Sequence, residues 1–165
     1  MKLSKDFRAI PAKTLARWFV NHTDRASGDS VTQLKLQKLV YYTEAWFMVH
    51  FDRTLTTADF EAWAHGPAIR ALYGKYRAHG WDGLPPEKGP EPHGYLCPFL
   101  EAVYNEYGQF SAKRLERMTH EEDPWVVARG GLPPEAASRN VMPKLNIRNY
   151  YAKRIGKEPI KKLKD

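Results

Sequence analysis

The sequence has a single cysteine and lacks both a long apolar run and an N-terminal apolar stretch of signal-peptide length. Cys97 alone cannot form an intramolecular disulfide, which is typical of a reducing compartment. The longest apolar region, residues 40–51, is interrupted by Thr43, Glu44 and His50. It therefore falls short of the ~20 consecutive apolar residues that span a bilayer. Together these absences predict a cytoplasmic protein with no membrane partner.

The residue patterns of common active sites are also missing. The six histidines include no HExxH pair, and none lies near Cys97 at zinc-finger spacing. Gly130-Gly131 is followed by Leu132-Pro133-Pro134 rather than by the helix of a phosphate-binding loop. We interpret the stretch Thr119–Asp123 as a helix start, because carboxylates there complement the helix dipole. The sequence therefore predicts no enzymatic activity, no catalytic residue, no metal site and no cofactor.

Positive charge is confined to one end of the chain. The formal net charge is +7, and residues 139–165 contain nine Lys/Arg against two acidic residues, so the other residues are neutral on balance. This pattern indicates either a solvated tail or a surface that captures an acidic protein or a phosphate backbone. The candidate partner-binding residues at this end are Arg148, Arg154, Lys161, Lys162 and Lys164.

Helical periodicity predominates along the chain and predicts an all-α fold of six or seven helices, with one short β element near residues 60–64. Residues 30–51 are apolar nearly all round a helix, which is typical of a central, buried helix. Ser30-x-x-Gln33 forms a capping box that predicts the start of this helix. We predict one domain over residues 1–155, followed by a frayed basic tail over residues 156–165.

Three further signals predict where other elements begin and end. Pro67, after Gly66, suits the first position of a helix because its missing N–H has no partner there. Residues 81–94 contain four prolines and three glycines and therefore predict a loop. Thr119-x-x-Glu122 forms a second capping box, which predicts another helix start.

Four segments, in order along the chain, carry a resemblance to a known family. They are Leu36–Tyr42 with Ala45-Trp46; Phe60–Pro67 with Tyr73 and Tyr76; Tyr107-Gly108 through Leu115 to Thr119-His120, Asp123-Pro124-Trp125 and Ala128-Arg129; and Ile147 with Tyr150-Tyr151. Spanning about residues 10–155, they make the chain similar to the Panacea domain of SocA-like antitoxins, which also occurs on phage-associated proteins. Asp52 stands where the family often has a glycine.

The resemblance implies an antitoxin that neutralises a cognate toxin, encoded by the adjacent gene, through direct protein–protein binding. It also leaves open an adaptor that presents the toxin to a protease. The basic end keeps a nucleic-acid-binding regulator as a further alternative. We interpret the motif residues as scaffold rather than as recognition groups. They are Leu36, Lys38, Tyr41, Tyr42, Trp46, Trp63, Gly66, Pro67, Thr119, His120, Pro124 and Trp125.

Overall fold

The computed structural model covers residues 1–165 and contains seven α-helices and three short β-strands. The helices are α1 (Ala12–His22), α2 (Gln33–Phe51), α3 (Arg70–Tyr76), α4 (Cys97–Tyr107), α5 (Ala112–His120), α6 (Asp123–Ala128) and α7 (Lys144–Arg154). The strands are β1 (Phe60–Trp63), β2 (Gly66–Ala68) and β3 (Val141–Met142). No helix combines the length and the apolar content that crossing a membrane requires.

The long helix α2 lies at the centre of the molecule. It contacts α1, α3, α4, α5, α7 and β2, which explains why its apolar residues occupy nearly every side of the helix. Its N-cap is Thr32, whose hydroxyl accepts a hydrogen bond from the N–H of Lys35, so the predicted capping box at Ser30 is wrong by two residues. At its C-terminal end Asp52 adopts a left-handed conformation with φ of 55°.

The prediction of an all-α fold is only partly confirmed, because the helices enclose a three-stranded antiparallel sheet in the order β2-β1-β3. The short β element expected near residues 60–64 is β1, and Trp63 pairs with Gly66 across a two-residue turn. Gly66 has φ of 97°, which a residue with a Cβ rarely adopts. Pro67 therefore lies in β2, and the prediction that it begins a helix is wrong, since α3 begins at Arg70.

The second predicted capping box is also wrong. Thr119 lies in the last turn of α5, where its hydroxyl donates to the carbonyl of Glu116. The following helix, α6, has Glu122 as its N-cap and no side-chain hydrogen bond there. By contrast, residues 81–94 lack regular structure apart from a short 3₁₀ turn that starts at Gly94, as the glycine and proline content predicts.

The C-terminal segment, residues 156–165, lies against the helical domain rather than free of it. The backbone N–H of Lys164 donates to the carbonyl of Asp52, and Leu163 packs on the core. Arg148 donates to the carbonyl of Glu158 at 2.7 Å. The sequence predicts a frayed tail here, whereas the structure shows a segment that contacts the domain. The partners of these contacts, Asp52 and Arg148, lie outside the segment, so no pattern within the segment reveals them.

The boundary between domain and tail at residue 155 stays a prediction, and truncation tests it. A chain that ends at Ile155 is expected to stay folded but to lose about 1–3 kcal/mol of unfolding free energy, since Arg148 loses one acceptor. A chain that ends at Ile160 keeps Glu158 and is the matched control. Urea unfolding followed by circular dichroism measures both. Loss of the cooperative transition in the shorter chain would show that the segment belongs to the folding unit.

Candidate partner-binding pocket

An open aromatic pocket lies between the first turns of α2, the β1–β2 hairpin, α3 and the loop that follows α3. Its cavity volume is about 100 Å³. The lining residues are Gln33, Leu34, Gln37, Lys38, Trp63, His65, Gly66, Ala68, Tyr73 and Trp81. Trp63 and Tyr73 meet edge to face at 5.2 Å between ring centroids. Trp81 leaves 72% of its surface exposed, so the pocket is bordered by a large aromatic ring in contact with solvent.

Hydrogen bonds hold the Trp63 wall in place. The indole N–H of Trp63 donates to Glu61 at 2.8 Å, and Arg70 donates to both oxygens of the same carboxylate. Burial alone would raise the pKa of the Glu61 carboxyl, but the hydrogen bonds from Arg70 and Trp63 outweigh it and leave the pKa lowered. Glu61 is therefore a carboxylate that fixes the orientation of the Trp63 ring.

A similar relay lies on the side of His65. Its Nδ1 is 3.0 Å from Glu116 Oε1, and the ammonium of Lys113 is 3.3 Å from Glu116 Oε2. Burial acts to raise the pKa of Glu116, but the hydrogen bonds from His65 and Lys113 outweigh burial. The net effect is a lowered pKa. Each rim of the pocket thus has the same order: a pocket-lining ring, a carboxylate that binds it, and a cation that binds the carboxylate.

The floor of the pocket contains two buried polar side chains of α2. Gln37 exchanges hydrogen bonds with the backbone of Ile69, donating to its carbonyl and accepting from its N–H. Lys38 donates from Nζ to the carbonyl of Pro67 at 3.0 Å. Burial lowers the pKa of Lys38 to about 7, although the negative charge of Glu116 opposes this change. These two residues attach the β2 strand and the start of α3 to the central helix.

The low pKa of Lys38 predicts a pH-dependent stability. Since the folded pKa of about 7 lies below the ordinary value of 10.5, the unfolded chain binds more protons between these pH values. The unfolding free energy of the wild type relative to Lys38→Met should therefore increase by about 2 kcal/mol from pH 7 to pH 9. Chemical denaturation across this range measures the change. The exposed Lys13→Met variant serves as the control, and an equal pH profile in all three proteins would contradict the prediction.

Residues of α5, of α6 and directly after α6 hold the hairpin from behind the pocket. The rings of His120 and Trp125 stack with centroids 4.1 Å apart, and the Arg129 guanidinium lies 4.7 Å from the Trp125 ring centroid. Trp125 donates to the carbonyl of Trp63 at 2.8 Å, and Arg129 donates to the carbonyl of Ala62 at 2.9 Å. These residues therefore fix the backbone that carries the pocket wall.

The remaining motif residues lie away from the pocket. Leu36, Tyr41 and Tyr42 are buried on α2, and Pro124 is buried at the start of α6. Trp46 donates to the hydroxyl of Tyr107 at 2.7 Å. The sequence predicts a scaffold role for each motif residue separately. It does not reveal that three of them, Lys38, Trp63 and Gly66, line one opening. Their separation along the chain hides that arrangement, and no local pattern shows it.

The basic residues at the C-terminal end differ in their exposure. Arg148 is buried, and its guanidinium donates to Asp52 Oδ1 at 2.9 and 3.1 Å. Arg154 lies at the surface and forms a 3.0 Å salt bridge with the buried Glu122. Lys161, Lys162 and Lys164 are exposed. Of the five candidate residues, Arg148 is thus occupied within the fold, and the three lysines are the most accessible to a partner.

Two comparisons relate the chain to known proteins. Residues 36–93 match the family model described as antitoxin SocA-like, Panacea domain. The chain is 27% identical over 143 residues to the antitoxin SocA of Caulobacter vibrioides (strain NA1000 / CB15N). The alignment covers 78% of this chain and 76% of that protein. No solved structure matches. The resemblance to SocA-like Panacea antitoxins that the sequence motifs indicate is therefore confirmed.

Proposed function

We propose that this chain is a non-enzymatic antitoxin that neutralises a partner toxin by binding it directly, with the aromatic pocket as the centre of the contact surface. The similarity to an antitoxin supports the antitoxin role. The observation that carries the choice of surface is that eight of the ten pocket-lining residues fall within the span that matches the Panacea domain. Large aromatic side chains at a solvent-exposed opening are also common at interface hot spots.

Co-expression tests this proposal. We expect the protein encoded by the adjacent gene to arrest growth when expressed alone and to be harmless when this chain is present. The two proteins should then co-purify, because the inhibition results from a complex. A harmless neighbour, or toxicity that this chain leaves unchanged, would contradict the antitoxin role. Faster degradation of the neighbour in the presence of this chain would instead identify a protease adaptor.

A nucleic-acid-binding regulator is a second candidate, and the exposed Lys161, Lys162 and Lys164 favour it. Contacts between lysines and phosphates release counterions, so binding through these residues should weaken steeply as salt increases. Fluorescence anisotropy with labelled DNA and RNA measures this dependence. Binding that is absent, or that survives alanine replacement of all three lysines, would eliminate this candidate.

A further inference from the structure

We propose that the pocket takes one apolar side chain, aromatic or branched aliphatic, from an acidic segment of the partner protein. This inference rests on the proposed function, because the inference specifies the chemistry of the segment that the toxin would present. Two observations support it independently: the size and lining of the cavity, and the arrangement of charges around its opening.

The size of the cavity suits one side chain rather than a helix or a strand. Its volume is about 100 Å³. An apolar cavity of about 150 Å³ in another protein holds a whole benzene molecule. This smaller cavity has room for one branched aliphatic group, and a ring would enter it in part because the opening lets the rest extend into solvent. Trp63, Tyr73 and Trp81 supply its aromatic border. A side chain that enters would cover part of the exposed Trp81 ring, which removes apolar surface from water.

The charges around the opening favour an acidic segment. On one side Arg70 is 53% exposed and Glu61 only 14% exposed; on the other Lys113 is 69% exposed and Glu116 only 11% exposed. A partner that approaches the pocket therefore meets the two cations, while the carboxylates are covered and already bound. Carboxylates beside the inserted side chain would complement this surface and favour the encounter.

Peptide titration of the full-length chain tests the proposed chemistry. The probes are three capped synthetic pentapeptides. The first has a central Leu flanked by four Glu, the second has a central Ala flanked by four Glu, and the third has a central Leu flanked by four Lys. We expect the indole N–H signals of Trp63 and Trp81 in a ¹⁵N NMR spectrum to shift only with the first peptide, and the shift to decline at high salt. Equal or larger shifts with the lysine peptide would overturn the acidic partner, and no shift with any peptide would overturn the pocket as a binding site. Shifts that depend on protein concentration alone would assign the pocket to a second copy of this chain.

Variants connect the pocket to the partner itself. Trp81→Ala should weaken binding of the adjacent-gene protein by about 10- to 100-fold, and Lys113→Glu should weaken it and reduce its salt dependence. The matched controls are the exposed Val127→Ala and Lys13→Glu, which lie outside the pocket lining. If the wild type neutralises the toxin and all four variants bind equally, this inference fails together with the placement of the contact at the pocket, while the antitoxin role stands. If the wild type does not bind the toxin, the proposed function fails.

Discussion

The Gly66→Ala variant is expected to lose about 2–5 kcal/mol of unfolding free energy, for two separate reasons. Gly66 has φ of 97°, and a residue with a Cβ pays about 1–2 kcal/mol in the left-handed region. A Cβ there would also lie 2.7 Å from Lys38 Cε and 2.7 Å from Thr119 Oγ1. Because both neighbours are buried side chains in a packed interior, relieving the clash adds about 1–3 kcal/mol.

Gly28→Ala separates the two contributions to this loss. Gly28 has a similar φ of 92°, but a Cβ there meets no atom within 4 Å. Its expected loss is therefore only the backbone cost of about 1–2 kcal/mol. Equilibrium urea unfolding of the two variants gives the difference directly. Equal losses in both would show that α2 and α5 yield easily around the hairpin, which would contradict the close packing behind the pocket.

The Glu44→Leu variant is expected to lose about 3–5 kcal/mol of unfolding free energy. Glu44 is completely buried in α2 and forms a 3.0 Å salt bridge with Lys144 of α7. Its other oxygen accepts the N–H groups of Leu55 and Thr56 at 2.8 and 3.0 Å. Burial raises the pKa of the Glu44 carboxyl, and Lys144 together with the two N–H groups opposes this. Leucine would leave both N–H groups without an acceptor and the ammonium with only the carbonyl of Thr56, which lies 2.7 Å from its Nζ.

A double-mutant cycle with Lys144→Met identifies the cause of this loss. The double variant has no buried charge left unpaired, so it should be less destabilised than the sum of the two single variants. Glu44→Gln keeps an oxygen that can accept the backbone N–H groups, and its loss should be the smaller one, about 1–3 kcal/mol. Additive losses would mean that Glu44 and Lys144 act independently and that this ion pair does not connect α7 to the core.

The sequence predicts the central elements of the fold because their signals are local. An apolar surface all round α2 indicates a buried helix, and Ser111 and Pro143, residue types common at helix starts, directly precede α5 and α7. The sheet is a different case. The strand β1 pairs with β3, and these segments are about 80 residues apart along the chain. A two-residue strand such as Val141–Met142 has too short a pattern to be identified without its partner.

The candidate site is less predictable than the fold for the same reason. Trp63 and Lys38 are visible in the sequence as motif residues, but the pocket exists only because β2 lies against α2. The distribution of charge along the sequence predicts instead that partner-binding residues lie at the C-terminal end. It does not reveal that one of them, Arg148, is buried against Asp52. An arginine in a basic run is usually exposed, and only the position of its partner reveals the exception.

Calorimetric titration of the purified adjacent-gene protein into this chain is the most direct test of the central claim, that the chain neutralises a toxin through the aromatic pocket. The predicted result is a stoichiometric complex with the wild type and an affinity about 100-fold weaker for a Tyr73→Ala/Trp81→Ala double variant of unchanged helical content. Both side chains are exposed, so their removal should leave the fold intact. Absence of a complex with the wild type, or equal affinity for the two proteins, would contradict the claim.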